Sequence, residues 1–316
     1  MAPIDVIRNA AHRYASRLRF KGTIGAIRKF ARRHGVRNPM ARPRAANLHV
    51  QEPTAEDIAY QIEYAISPGA LQVHRLEQLG VRVAGARILE IGPGVAFGTA
   101  AYLRAAGAHV TVADRWLSRW SDPYHGPIYS GIADRLAGRE GLDVSPLRRM
   151  VEAKGYVEGT ITCVLEPSEA LRSLADGAFD AVISNAVLEH IESPEKAFPE
   201  LFRVTRPGGV GMHQVDYRDH RDFERPLDHL VMKQDAFDRE NRRYHLEYGS
   251  RLRQPDYARL LTEAGFSIEQ YHVSETADSA YLETIIRRLA MSGRANPAWT
   301  REALSDLGGL FLLKRP

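Results

Sequence analysis

"RILEIGPGVAFG" (Arg87–Gly98) runs from a short apolar segment into three glycines, Gly92, Gly94 and Gly98. A buried strand, a glycine-rich turn and an alanine-rich helix in that order let the backbone approach a ligand closely. They also aim the amides of the helix N-terminus at it. A dinucleotide loop needs G-x-G-x-x-G. Its third glycine would fall at position 97, where Phe97 stands. The spacing found is G-x-G-x-x-x-G, and Glu90 precedes the first glycine by two residues.

Strand and helix patterns alternate on either side of this loop. Upstream, Thr54 caps a predicted helix containing Ile58, Ile62 and Ile66. A second predicted helix starts with Ser67 as cap and Pro68 in first position, and stops at Gly80. Strands are expected over 87–92, 109–114, 159–166, 179–185, 210–215, 267–273 and 308–316, with helices over 96–106 and 256–266. Strands spaced by helices predict an α/β fold, a doubly wound and mostly parallel sheet. Two stretches, about 115–158 and 217–253, exceed what the crossovers need. Insertions of that length read as lids or substrate elements.

The 316 residues suit one large α/β domain with additions. No run reaches the roughly 18 apolar residues of a membrane span. The single cysteine, Cys163, excludes an internal disulfide and a cysteine-rich zinc site. Its apolar context predicts a buried small side chain, and a reducing cytoplasm fits. Residues 1–50 hold 12 Lys or Arg and one acid, which leaves −7 for the rest of a chain whose total is +4. In that segment Ile7, Ala11, Tyr14 and Leu18 share a helical face, and arginines cover the other. A basic amphipathic helix of this kind packs on its own core or a partner, lies on an anionic membrane through residues 1–35, or serves nucleic-acid binding or targeting, the last group being the smallest expectation.

The glycine loop resembles the first motif of the class I S-adenosylmethionine (SAM) methyltransferases, E-x-G-x-G-x-x-x-G, here Glu90, Gly92, Gly94 and Gly98. The resemblance implies a seven-stranded Rossmann-like sheet and a loop, Pro93 included, that curves around the amino acid part of SAM. It makes Asp114, at the end of the second strand, the acceptor of hydrogen bonds from the ribose hydroxyls, a task suited to a carboxylate. Glu166, after the third strand, falls where the family contacts adenine. "FDAVISNAVLEHI" and "LFRVTRPGGV" resemble the later motifs, and Asn185 then lines the floor near the sulfonium. Under this reading, 1–50 is a basic helical extension and 51–316 the methyltransferase domain. A homo-oligomer is compatible with it.

Methyl transfer to a hydroxyl needs alignment and removal of a proton. His190, Asp216 and His220 are the candidates for the proton. Glu189, His190 and His220 are the candidates for a divalent metal. Some O-methyltransferases carry E-x-x-E-H at this place, but the first position here is Ala186. His213 reads as strand-borne and core-facing. The first insertion carries Trp116, Trp120, Tyr124, His125 and Tyr129, either lid packing or a surface for a sugar or aromatic metabolite. The second carries "NRRYHLEYGSRLR", either a solvated helix or arginines for a carboxylate or phosphate. A looser resemblance to bacterial glycan and glycolipid methyltransferases adds to an expectation of O-methylation of a hydroxylated small molecule, sugar or glycan. The alternatives are an N- or RNA methyltransferase, another use of SAM such as aminopropyl transfer, or a SAM-binding scaffold without turnover.

Overall fold

The computed structural model describes residues 53–316 apart from 245–247; the side chains of 242–247 are likewise undescribed. The basic segment of residues 1–50 lies outside the described residues. The fold is the expected α/β type with a seven-stranded, mostly parallel sheet. The described residues form two compact units, 53–165 and 166–316.

In the first unit, helix α1 (Ala55–Gln78) precedes β1 (Arg87–Ile91), α2 (Gly98–Ala105), β2 (His109–Ala113), α3 (Asp122–Leu136), α4 (Ser145–Ala153) and β3 (Ile161–Val164). The strands lie parallel in the order β3-β2-β1. Thr54 caps α1 as its sequence signature predicts. Its hydroxyl accepts from the Asp57 amide at 3.2 Å, and the Asp57 carboxylate accepts in return from the Thr54 amide at 2.9 Å. The predicted break at Ser67 is absent. One 24-residue helix runs through Pro68, and the Ser67 hydroxyl donates to Glu63 at 2.8 Å instead of capping. Tertiary packing outweighs the proline: a Cβ on Gly69 would lie 2.4 Å from Tyr102 Cβ, so α1 is pressed against α2 at that point. Cys163 is exposed, not buried as expected. It sits on β3, which has β2 as its one hydrogen-bonded neighbour in this unit.

The second unit holds β4 (Phe179–Asn185), α5 (Pro194–Val204), β5 (Thr205–Asp216), α6 (Gln234–Tyr244), α7 (Gln254–Glu263), β6 (Ser267–Thr276), α8 (Ser279–Met291), α9 (Arg301–Ser305) and β7 (Asp306–Lys314). The strand order is β4-β5-β7-β6. β4 and β5 are parallel, and β7 is antiparallel to both β5 and β6. Part of the second insertion is packed into this unit: Leu227 and Leu230 join Leu282, Ile285 and Leu289 of α8 in an apolar cluster.

Candidate functional site

In the first unit the glycine loop follows β1 directly. Gly92 and Gly94 adopt φ values of +64° and +70°, the left-handed region that glycine enters without a Cβ penalty. A Cβ on Gly94 would meet nothing within 4 Å, so the loop is open there. Gly98 serves another end. A Cβ on it would lie 2.9 Å from Ala65 Cβ, so this glycine lets α2 start hard against α1. Phe97 has φ +50°, a conformation that strains a bulky residue. Burial holds it there, with its ring stacked on Tyr156 at 5.0 Å.

Glu90 is 5% exposed. Burial pushes its carboxyl up to about 8, against the opposing hydrogen bond from the Ala100 amide. Its Oε2 has no hydrogen-bond partner among the described residues. A buried carboxylate oxygen left without a donor, beside an open glycine turn, fits a ligand that brings a positive donor. The ammonium of a bound amino acid group is such a donor. Asp114 follows β2, and its Oδ1 accepts from the Trp116 amide at 2.9 Å. Near it is a hollow of about 340 Å³ lined by Leu117, Trp120, Tyr156, Cys163 and Leu165 among others. Those lining positions carry no motif and were not legible in the sequence.

Three side chains of the first insertion, Tyr124, His125 and Tyr129, are core, whereas Trp116 and Trp120 are half-buried and Trp120 lines the hollow. Tyr124, His125 and Tyr129 are at most 2% exposed. His125 stacks on Trp120 at 5.3 Å, and Tyr156 meets Trp120 edge-on at 5.4 Å. His125 Nδ1 accepts from the Ser121 amide at 2.9 Å. Its proton is therefore on Nε2, which donates to the Val95 carbonyl at 3.0 Å. Burial holds the imidazole below its ordinary pKa, and the carbonyls of Val95 and Ser121 only partly oppose this.

In the second unit, the residues after β4 and β5 converge. Ala186, at φ +53°, turns the chain out of β4, and a short turn, Leu188–His190, follows. Ligand atoms of Glu189, His190 and His220 lie within 4.8 Å of one another. These are the three metal candidates of the sequence. His190 Nε2 is 3.8 Å from Glu189 Oε1, and the two imidazole rings are 5.0 Å apart. His220 stacks on Phe223 at 5.7 Å. Glu189 is 1% exposed, and neither carboxylate oxygen has a hydrogen-bond partner among the described residues. Burial, then the nearby Asp216 charge, drive its carboxyl well above the usual range. The amides of Glu189 and Asp216 and the charge of Arg218 offset this in part.

Asp216 joins the cluster in a different state. Arg218 grips it with two bonds, Nε to Oδ1 at 2.9 Å and Nη2 to Oδ2 at 2.8 Å. His220 Nε2 stands 3.5 Å from Oδ2. Burial raises the Asp216 carboxyl, but the contacts to His220 and Arg218 outweigh it and hold the group well below the usual carboxylate range. A carboxylate so held is a weak proton acceptor and an effective anchor. Asn185 ends β4, half-buried. The Glu166 carboxylate accepts from the Ser173 amide at 3.1 Å and the Ser173 hydroxyl at 3.0 Å. His213 is fully buried, with Nδ1 2.9 Å from the Ser184 hydroxyl.

Arg253 is withdrawn from any substrate role. It is fully buried and donates to the carbonyls of Tyr217 at 3.0 Å, Ala303 at 3.1 Å, Leu304 at 3.2 Å and Asp306.

The family model described as "Methyltransferase domain" matches residues 129–212, a span that takes in β3, β4 and most of β5. The chain is 49% identical over 47 residues to a human thiol S-methyltransferase, covering 15% of this chain and 19% of that one. It is 24% identical over 216 residues to the "Probable S-adenosylmethionine-dependent methyltransferase" of Mycolicibacterium smegmatis, covering 59% of this chain and 77% of that one. Among solved structures, it is similar to a phosphoethanolamine N-methyltransferase of Haemonchus contortus bound to SAM. The TM-score is 0.44 at 16% identity, over 83% of this chain and 57% of that one. The chain carries a SAM-dependent methyltransferase domain, whose cofactor is SAM. Its match to the human relative spans about a fifth of that protein. No helix among the described residues is long and apolar enough to cross a membrane.

Proposed function

We propose that this protein moves the SAM methyl group to a hydroxyl oxygen of a small molecule, sugar or glycan. One observation carries the choice of a hydroxyl: the buried carboxyl of Glu189, with neither oxygen hydrogen-bonded among the described residues, beside the imidazoles of His190 and His220. A hydroxyl must lose a proton as its oxygen is methylated, and imidazole is a side chain suited to accept one. Glu90, Gly92, Gly94, Gly98 and Asp114 are the residues that would hold SAM. The domain reading of residues 51–316 goes with this function. Residues 1–35 would bring the protein to an anionic membrane; deleting them should abolish sedimentation with anionic vesicles.

The same cluster fits a divalent cation, because one carboxylate and two imidazoles are a common ligand set and neither Glu189 oxygen is hydrogen-bonded among the described residues. Glu189, His190 and His220 would hold it. When bound, it would lower the pKa of a coordinated hydroxyl.

The experiment is release of S-adenosylhomocysteine with candidate acceptors, measured for the wild type, Glu189→Gln and His220→Ala. Turnover should fall at least a hundredfold in both variants with SAM affinity unchanged. Full turnover in both would remove the cluster from the chemistry. Production of 5′-methylthioadenosine would replace methyl transfer by aminopropyl chemistry. Loss of turnover in EDTA, restored by one divalent ion and absent from Glu189→Gln, would select the metal form.

A further inference from the structure

The second unit contains a groove of about 870 Å³. It begins at Ile191, the residue after His190. It passes Ser250, whose amide donates to the Glu189 carbonyl at 2.8 Å. Leu252, Leu260, Phe237 and Trp299 give it apolar and aromatic walls.

Three arginines reach this groove. Arg259 is neutralised by Glu263 at 2.8 Å. Arg251 has no such partner. It donates to neutral oxygens, the His229 carbonyl at 2.9 Å, Gln234 Oε1 at 3.0 Å and the Met232 carbonyl at 2.6 Å. Its guanidinium lies 3.9 Å over the Phe237 ring. A guanidinium has five N–H donors, so each terminal nitrogen keeps one to give. Among the described residues, neither Arg251 nor Arg294 is paired with a carboxylate.

Burial, then the charge of Arg294, pull Arg251 down to about 10, while Asp238 opposes and Arg221 adds to the effect. Arg221 is itself bound to Asp219 at 2.7 Å. Glu192 and Glu195 also line the groove but are not among the charges that act on Arg251. Two half-buried guanidinium groups in one groove, neither paired with a carboxylate, favour an anion between them. Guanidinium pairs match the planar or tetrahedral oxygens of a carboxylate or phosphate.

We propose that Arg251 and Arg294 bind the carboxylate or phosphate of the acceptor, with its flat apolar part against Phe237 and Trp299. That the ligand is the methyl acceptor rests on the methyl-transfer reading; the anion site does not.

Calorimetry on the full chain with phenyl phosphate, benzoate and phenol tests it. At least one of the two anions should bind, and phenol at least tenfold more weakly. A preference for phenyl phosphate identifies a phosphate ester, and a preference for benzoate a carboxylic acid. Arg294→Met removes no described hydrogen bond within the protein. It should weaken the bound anion about tenfold and leave SAM affinity and Tm unchanged. Arg251→Met should lose more, but it also frees three backbone and side-chain oxygens, so Arg294→Met is the decisive variant. No binding of either anion to the wild type, or equal binding to Arg294→Met, overturns the site. If the anions bind and Arg294→Met responds, yet no acceptor ever yields S-adenosylhomocysteine, the anion site stands and methyl transfer falls.

Discussion

His125 Nε2 donates to the Val95 carbonyl at 3.0 Å, across 30 residues of sequence. Val95 lies in the glycine turn between Gly94 and Phe97, and His125 lies on α3 of the first insertion. The insertion therefore holds the glycine loop with a buried, neutral imidazole. Removing the donor would leave that part-buried carbonyl without its imidazole partner, at a cost of up to about 1–3 kcal/mol. His125→Leu should weaken SAM binding about tenfold or more. His125→Gln, which keeps an N–H donor, should recover part of it. Equal SAM affinity in wild type and His125→Leu would deny the clamp.

Gly98 is needed for packing, since its Cβ would fall 2.9 Å from Ala65 Cβ and 3.1 Å from Ala65 Cα. Overpacking of this kind costs about 1–3 kcal/mol. Gly98→Ala should lower the unfolding free energy from denaturant titration by that amount, and the double variant Ala65→Gly, Gly98→Ala should regain most of it. Additive losses in the double variant would show that the two positions do not collide.

Arg253 binds four backbone carbonyls inside the second unit and stands 4.9 Å over the Tyr217 ring. Arg253→Met fills similar volume but strands those carbonyls. Stability should drop by at least about 1–3 kcal/mol, the cost of a buried acceptor left unsatisfied. A folded variant of near wild-type stability would make Arg253 dispensable as a staple.

Two buried histidines predict a sensitivity to acid. Burial lowers His213 to about 4 and His229 to about 3. In the unfolded chain each titrates near 6.5. Their depressed folded pKa values mean that the unfolded state takes up protons first as pH falls. Stability should be full above pH 6.5 and decline steadily down toward pH 4 and 3. His213→Gln, which keeps a polar partner for Ser184, should flatten the decline between pH 6.5 and 4. An unchanged slope would mean that His213 is not the buried neutral group described.

Much of the site could be read locally. Each of the seven strands announced itself as an apolar run next to glycine, proline or helix signals, and the departures at their ends are a few residues. The glycine loop and the LEH turn are contiguous, so their residue types and spacing carry their meaning without the fold. His220 was legible as a candidate only because the chain after β5 is dense in aspartate and histidine.

The chain order alone thus determined the strand–helix alternation, the glycine loop and the three groups Glu189, His190 and His220. Tertiary structure decided what those groups do to one another. The Glu189 carboxyl is raised by burial and by Asp216, 27 positions away. Asp216 is itself held ionised by Arg218 and His220. The same holds for Pro68 inside a helix, for Cys163 on an exposed strand and for Arg253 as a buried staple. Propensity and motif are properties of neighbours along the chain. Burial, ion pairing and anion affinity depend on which side chains meet in space, and that is set only when the chain folds.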